Sequence, residues 1–291
     1  MSQRAAADLE PCVASARVRP TSYPGPLIAH SALVTAEEQW LIRTGSPDPW
    51  GWWPMLDGPH HRLDEALDAL GEARVAERAA VLAPGSVASP PQHRHHAQLM
   101  HFSPVVPLVK VAVSGVAVGH AAHVSMYGYV PFTIRVQPHA RTRMTLALLD
   151  EHQLMAMDAA RSRFHRVLLR SADGFDVVCG QYRLSAVYAY VSKDGYLAEP
   201  SGQALPASGQ EDLVSRLSAH EGVRALLGQD ADSAARHSRA GGPGWLAEVR
   251  RAMRQAQLVR RDEAADMMEC HKSRHTLYMG DSEGWPSRAD L

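Results

Sequence analysis

The stretch of residues 123–169 decides the fold class, and it reads HVSMYGYVPFTIRVQPHARTRMTLALLDEHQLMAMDAARSRFHRVLL. Its apolar residues follow strand patterns at 132–136 and 143–149, helical spacing at 150–160, and a strand pattern again at 164–169. Asp150 is suited to cap this helix, because Gln153 follows three residues later as a capping-box partner. Strands that are interleaved irregularly with few helices predict an α+β fold.

The same patterns extend outward from this stretch in both directions. Alternating valines predict two strands that are separated by a turn at Gly115. Beyond residue 200, apolar spacing predicts two short helices within 213–227 and a basic amphipathic helix at 245–259. The predicted strands outside the central stretch are 27–34, 79–83, 109–113, 116–124 and 182–192, and the predicted helices there are 63–70 and 92–100.

Changes in composition divide the chain into five predicted parts. Residues 1–24, rich in Ala, Arg and Pro, are expected to form a mobile N-terminal arm. We expect residues 25–74 to be an extension that packs on a core formed by residues 75–200. A helical segment follows at 201–239. The last part, 240–291, begins with a Gly-rich linker and carries the basic helix and a loosely ordered tail.

The length and charge of the chain exclude several classes of protein. In its 291 residues, 30 Lys and Arg stand against 31 Asp and Glu, for a net charge of −1, whereas nucleic-acid-binding domains are usually basic. No apolar run approaches the roughly 20 residues of a membrane span, and the N-terminus lacks the apolar core of a signal peptide. Three widely separated cysteines are typical of reduced thiols. We therefore predict a cytoplasmic protein without nucleic-acid or membrane partners.

The 16 histidines raise the question of a metal site. The candidate clusters are His120 with His123, His93 with His95 and His96, and Cys270 with His271 and His275. On a strand, His120 and His123 point to opposite faces and converge only if the strand bends. On a helix, His93 and His96 share a face, but no acidic residue or cysteine nearby in sequence completes a site. We assign no metal and keep a histidine-dependent metal protein as the weakest alternative.

Three segments, taken together and in order, resemble the γ-glutamylcyclotransferase-like family. VLAPGSVASP at 81–90 is similar to the family's strand followed by a Tyr-Gly-Ser-Asn loop. Residues 123–150 are similar to its aromatic-Gly-aromatic element, strand, Pro-centred turn and second strand. Residues 151–169 are similar to its helix ending in Leu-Asp-x-x-Glu and the aromatic-x-Arg-Val strand that follows. The resemblance, which is strongest to a longer bacterial branch, implies a small mixed β-barrel with flanking helices.

The resemblance also implies a reaction that needs no metal or organic cofactor. In the family, a glutamate takes a proton from the α-amine of a γ-glutamyl group, and the amine attacks the γ-carbonyl to release 5-oxoproline. Backbone amides of the Gly-Ser loop hold the substrate's oxygens. The matching substrate-binding residues on this chain are Gly85, Ser86 and Val87, together with Tyr127 in the aromatic-Gly-aromatic element.

Two departures from the family's pattern change this expectation. Pro84 and Val87 stand where the family has Tyr and Asn. Arg161 stands at the position of the base glutamate, and a guanidinium donates hydrogen bonds but cannot accept the proton. Arg161 is instead suited to bind a carboxylate through two parallel hydrogen bonds.

The remaining candidates for catalysis are Asp158, Ser86 and His165. Asp158 matches the family's helix-end Asp, and a helix-end hydrogen bond or an ion pair with Arg161 or Arg163 would also account for it. We expect a diverged relative that binds or processes a small acidic or γ-glutamyl-like ligand, with ordinary cyclotransferase activity weak or absent. The alternative is a non-catalytic relative that acts as a binding or interaction protein through the basic helix and the tail.

Overall fold

The structure is a computed structural model that describes residues 16–17, 19–44, 55, 57–266 and 278–279. Its strands are β1 (Ala32–Val34), β2 (Gln39–Leu41), β3 (Ala79–Leu82), β4 (Val106–His120), β5 (Phe132–Leu149), β6 (Phe164–Arg170), β7 (Asp176–Cys179), β8 (Tyr182–Leu184), β9 (Ala186–Ser192), β10 (Tyr196–Leu197) and β11 (Val259–Arg260). Its helices are α1 (Leu63–Ala69), α2 (Pro90–Met100), α3 (Glu151–Ala160), α4 (Gln210–Leu217), α5 (Glu221–Leu227), α6 (Ala231–Gln255) and α7 (Glu263–Asp266).

Among the described residues, nine strands form one mixed sheet in the order β2-β1-β4-β5-β3-β9-β6, with the hairpin β7–β8 attached to β4. The longest ladder joins β4 and β5, which are antiparallel from Leu108 opposite Ala147 to His120 opposite Phe132. β3 pairs antiparallel with β5 and parallel with β9. The parallel pair makes the sheet mixed, since the other pairs in it are antiparallel.

Both faces of this sheet are covered. Leu146 and Leu148 of β5 enter one hydrophobic cluster, whereas Ala147 and Leu149 enter another. Successive residues of a strand point to opposite faces, so each cluster belongs to one face. A fully covered strand loses the simple alternation of apolar and polar residues, which is why LALL reads as a continuous apolar run.

The α+β class is confirmed, but the expected closure into a small barrel is wrong because the sheet is open. In the described part of the chain, no ladder joins β2 at one end to β6 at the other. After β6 the chain forms the hairpin β7–β8, which does not close the sheet. Its first strand, β7, pairs with β4, but β8 pairs with β7 alone within the described ranges. The strands therefore do not form the continuous, closed ladder that a barrel requires.

β4 and β5 are each continuous where the sequence predicted two strands. The predicted turn at Gly115 is a bulge, with φ of +89° and a register shift between Ser114 and Val116. In β5, residues 137–143 are exposed or half-buried, so the apolar alternation stops while the strand continues. Residues 137–140 lie between the two paired parts of the ladder with β4, which stops at Val136 and resumes at Arg141. The predicted cap of α3 is confirmed: Asp150 and Gln153 exchange hydrogen bonds of 2.9 and 3.1 Å.

The described part of the predicted N-terminal arm packs on the core. Tyr23 is buried, and the Ala16 N–H donates to Oε1 of Gln92 at 2.9 Å. β1 of the predicted extension pairs with β4 and so belongs to the main sheet. The sequence also predicts an aromatic loop at 47–61 whose tryptophans cover one end of the core. These residues, Trp50, Trp52 and Trp53, lie outside the described residues, as does most of the arm.

The helices α4, α5 and α6 form a third hydrophobic cluster with the segment after β4. The predicted linker at 240–244 is a kink inside α6, where Gly242 has φ of +59° and Pro243 follows. The predicted basic helix ends at Gln255, and Val259 lies in β11. Most of the predicted tail lies outside the described residues. Within the described ranges, no helix has both the length and the apolar character of a membrane span.

Candidate functional site

A cavity of about 390 Å³ lies where the loop after β3 meets α2, the end of α3, the segment 123–132 and α6. This size suits a small organic ligand. Its cationic lining residues are Arg17, Arg161, Arg163 and Arg250, and its histidines are His93, His95, His96 and His123. Its aromatic residues are Tyr23, Tyr127, Tyr129, Phe132, Phe164 and Tyr190.

The five residues that the sequence assigned to substrate binding all line this one cavity. They are Gly85, Ser86, Val87, Tyr127 and Arg161. Of the three candidates for catalysis, Ser86 lines the cavity, whereas Asp158 and His165 are not among its lining residues. The structure therefore brings the loop and the arginine together but separates two of the catalytic candidates from them.

The loop 84–87 leaves β3 and turns into a short 3₁₀ helix, Ser86–Ala88, before α2 begins at Pro90. The Ala88 N–H closes this turn by donating to the Gly85 carbonyl oxygen at 2.9 Å. A Cβ atom at Gly85 would collide with the Tyr23 hydroxyl. That hydroxyl is fixed, because its oxygen accepts a hydrogen bond of 2.9 Å from the Phe132 N–H. Glycine is therefore needed here for close approach and not for an unusual φ.

Arg161 reaches the cavity from the C-terminal end of α3. Its N–H donates to the Met157 carbonyl oxygen at 3.1 Å, which closes the last turn of the helix. Its guanidinium lies 5.0 Å from the centre of the Tyr190 ring, a cation–π distance. A cation is favoured at this end of a helix, because the last carbonyls carry partial negative charge.

Asp158 is held behind the wall of the cavity. Its Oδ1 accepts a hydrogen bond of 2.7 Å from the Tyr190 hydroxyl and lies 3.3 Å from Nε of Arg166. Asp158 therefore forms an ion pair with Arg166 of β6 and a hydrogen bond with Tyr190 of β9, where the sequence suggested Arg161 or Arg163 as the partner in an ion pair. His165 follows Phe164, which lines the cavity, so the strand directs His165 to the opposite face.

The electrostatics of the cavity favour an anion. Four arginines line it, and none of its described lining residues is Asp or Glu. Burial lowers the pKa of His93 to about 4. Burial and the nearby Arg161 and Arg17 lower that of His96 to about 3. Both imidazoles are therefore neutral near pH 7, and the positive charge of the site comes from its arginines, of which Arg163 is paired with Asp194.

An aromatic wall joins Tyr127, which the sequence assigned to substrate binding, to residues that sequence reasoning missed. The rings of Tyr23 and Tyr129 stack with centroids 4.4 Å apart, and Tyr127 stacks on Tyr129 at 6.4 Å. Arg17 lies 5.0 Å over the Tyr127 ring. Tyr23 and Arg17 belong to the predicted arm and are more than a hundred residues from Tyr127, so no local pattern could have placed them here.

The histidine clusters do not form a metal centre in the described part of the chain. No group of three or more His, Cys, Asp or Glu side chains there is placed to hold a metal ion. His120 is buried, and its Nε2 accepts a hydrogen bond of 3.1 Å from the Ser208 N–H. Cys270, His271 and His275 lie outside the described residues.

Comparisons with protein-family models, with curated proteins and with solved structures find no match to this chain. The resemblance to the γ-glutamylcyclotransferase-like family therefore stays a prediction. The function has to be argued from the geometry and charge of the cavity.

Proposed function

We propose that this protein binds a small carboxylate-bearing ligand in the cavity, with Arg161 as its principal anion-binding residue. The observation that carries the proposal is that Arg161 lines the same cavity as Gly85, Ser86 and Val87. An arginine can grip a carboxylate with two parallel N–H groups, which fixes the ligand's orientation as well as its charge. The loop supplies backbone N–H groups for the ligand's other oxygens, as the family resemblance implies.

The relationship to the γ-glutamylcyclotransferase-like family and the cytoplasmic location are parts of this proposal. In that frame, ordinary cyclotransferase activity is weak or absent, because the base glutamate is replaced by Arg161. Removal of a general base usually costs about 10²–10⁴ in rate. The position of Asp158, the carboxylate nearest to Arg161 in sequence, supports this view. Asp158 accepts a hydrogen bond from the Tyr190 hydroxyl and does not line the cavity, so it is not placed to act as the base instead.

The second candidate function is a binding protein without catalysis. The absence of Asp and Glu from the described cavity lining favours it. The basic helix gives less support to an interaction scaffold. Val249 and Met253 of that helix are buried in the helical cluster, while Leu246 and Arg250 line the cavity. Two of its faces thus serve the protein's own packing and its cavity, while Arg251 and Arg254 are exposed.

Two measurements on the full-length protein test the proposal. Glutarate, a dicarboxylate without an amine, should raise the melting temperature in a saturable way, since a ligand that binds the folded state stabilises it. L-γ-glutamyl-L-alanine should give little or no 5-oxoproline. Efficient release of 5-oxoproline would overturn the expected loss of cyclotransferase activity. The absence of any stabilisation by glutarate would overturn the proposed ligand class.

A further inference from the structure

His123, Asp194 and Arg163 form a chain of side chains that ends in the cavity. Nδ1 of His123 lies 3.1 Å from Oδ2 of Asp194. Arg163 holds the same carboxylate with two hydrogen bonds, of which the one from Nε to Oδ2 is 2.7 Å. His123 and Arg163 line the cavity, and the Asp194 carboxylate, of which 11 % is exposed, lies behind them.

Backbone hydrogen bonds bring these three residues together from distant parts of the chain. The Ala122 N–H donates to the Gly195 carbonyl oxygen at 3.0 Å, which ties the segment of His123 to the turn of Asp194. The Lys193 N–H donates to the Arg163 carbonyl oxygen at 2.9 Å. The arrangement is therefore built by the scaffold before any ligand binds, which is what a catalytic group requires.

The imidazole of His123 is set up to be neutral and oriented. The groups that face it are Phe164 of β6, whose ring meets it edge-on at 5.4 Å, together with Asp194, Arg163 and Arg250 of α6. Burial lowers the pKa of His123, and this effect outweighs the opposing influence of Asp194. When Nδ1 donates to Asp194, the lone pair is on Nε2, the ring nitrogen left for the cavity.

The pair is within hydrogen-bonding distance, but its N–H is not well aligned with the carboxylate. Catalytic hydrogen bonds are often poorly aligned before ligand binds and tighten in the complex. Asp194 itself is firmly ionised. Burial raises its pKa, but the hydrogen bonds from His123 and Arg163 outweigh burial and hold the pKa below its usual range.

We propose that His123 is a general base of this cavity, positioned by Asp194, and that the protein hydrolyses an ester or amide that carries a carboxylate. This inference rests on the proposed function, because Arg161 would hold the carboxylate of the substrate. Nε2 of His123 takes a proton from a water molecule while the water oxygen bonds to the acyl carbon and the carbonyl π electrons move to its oxygen. Collapse of this intermediate breaks the bond to the leaving group, which takes the proton back from the imidazolium.

A structural role is the competing explanation, since the same contacts tie two segments of chain together. The two roles differ in their pH dependence. A general base acts when neutral, so the rate should rise with pH through the pKa of His123 and then level off. Asp194→Asn removes a charge that raises this pKa, so the rising limb should move to lower pH.

The test uses mono-4-nitrophenyl glutarate as the probe, with release of 4-nitrophenol as the readout. His123→Asn should lower kcat by about 10²–10⁴-fold, and Asp194→Asn by at least about tenfold, with little change in KM. The matched control is His152→Asn, because His152 is exposed on α3 and should leave the rate unchanged. Circular dichroism establishes that each variant is folded.

Stabilisation by glutarate, measured in parallel, separates this inference from the proposed function. The inference is overturned, and the proposed function stands, if glutarate stabilises the protein but His123→Asn hydrolyses the probe as fast as wild type. It is likewise overturned if Asp194→Asn leaves the position of the pH limb unchanged. A protein that neither gains stability from glutarate nor hydrolyses the probe overturns the proposed function and this inference with it.

Discussion

The hydroxyl of Tyr190 donates a hydrogen bond of 2.7 Å to the carboxylate of Asp158, while the guanidinium of Arg161 lies 5.0 Å from the centre of the same ring. Tyr190 thus separates the carboxylate on one side from the arginine on the other. Tyr190 and Arg161 line the cavity and Asp158 does not. A ligand in the cavity can therefore contact the guanidinium of Arg161 without contacting the carboxylate of Asp158. This relationship allows the proposed anion-binding site to lie beside an aspartate.

Removal of the Tyr190 hydroxyl should destabilise the fold. Burial raises the pKa of Tyr190 far above neutral pH, so the hydroxyl remains a donor to Asp158. A hydrogen bond to a charged group contributes about 1.5–3 kcal/mol. Tyr190→Phe should therefore lower the free energy of unfolding in urea by roughly that amount, through this lost bond. Tyr196→Phe is the matched control and should change it by less than about 0.5 kcal/mol. Equal stability of the two variants would show that the Tyr190–Asp158 bond contributes nothing.

Gly85→Ala should disturb both the loop and the cavity. The added methyl group would collide with the Tyr23 hydroxyl, whose partner is the Phe132 N–H. Such overpacking usually costs about 1–3 kcal/mol. We expect a loss of stability in urea unfolding together with weaker binding of glutarate.

Gly222→Ala provides the control for this substitution. A Cβ atom at Gly222 meets no atom within 4 Å, and the residue lies inside α5. Alanine is favoured over glycine in a helix by about 0.5–1 kcal/mol, so this variant should be as stable as wild type or more stable. A Gly85→Ala protein that is as stable as Gly222→Ala would contradict the close approach of Tyr23 to the loop.

The buried His93 should make the protein sensitive to acid. The pKa of His93 is about 4 in the folded protein against its ordinary 6.5, so between these values the unfolded chain binds a proton that the folded chain does not. Its contribution to stability is complete above pH 6.5 and is lost as the pH falls towards 4. His93→Gln cannot take up this proton. The free energy of unfolding of His93→Gln should therefore fall less steeply as the pH is lowered. Between pH 6 and 4.5, its slope should be smaller than that of wild type by about 1.4 kcal/mol per pH unit.

The slope of stability against pH, and not the stability at a single pH, is the quantity to compare. His152→Gln is the control, because His152 is exposed on α3. It should keep the wild-type slope. If His93→Gln also keeps it, His93 is not the buried neutral group that the structure describes.

The sequence allowed some features to be predicted because they are local. The cap of α3 depends on Asp150 and Gln153, three residues apart, and both hydrogen bonds are present. The approach of Arg161 to the loop 84–87 required the family resemblance, since the two are far apart in the chain. The open sheet was missed for a related reason. The strand with which β7 pairs decides whether the sheet closes into a barrel, and in this structure β7 pairs with β4. That choice depends on tertiary packing, so it cannot be read from the apolar pattern of β7.

The rest of the candidate site could not be predicted, because its residues come together only in the folded chain. Tyr23 belongs to a segment without a usable period, yet it is buried against the loop. Asp194 belongs to a Lys-Asp-Gly turn, where aspartate is common for purely local reasons. Its contact with His123 joins residues that lie far apart in the chain. The sequence pattern pairs His123 with His120 as a candidate for a metal site, because nothing local to His123 points to Asp194.

The most direct test of the proposal that Arg161 binds the ligand's carboxylate is isothermal titration calorimetry with glutarate. The measurement compares the affinity of the wild-type protein with that of Arg161→Ala. The loss of a charge-assisted pair should weaken binding roughly 10- to 100-fold. Arg143→Ala is the control, because Arg143 is exposed on β5 and does not line the cavity. It should bind as wild type does. Equal affinity of wild type and Arg161→Ala, or no binding by the wild-type protein, would contradict the assignment of Arg161 as the anion-binding residue of this cavity.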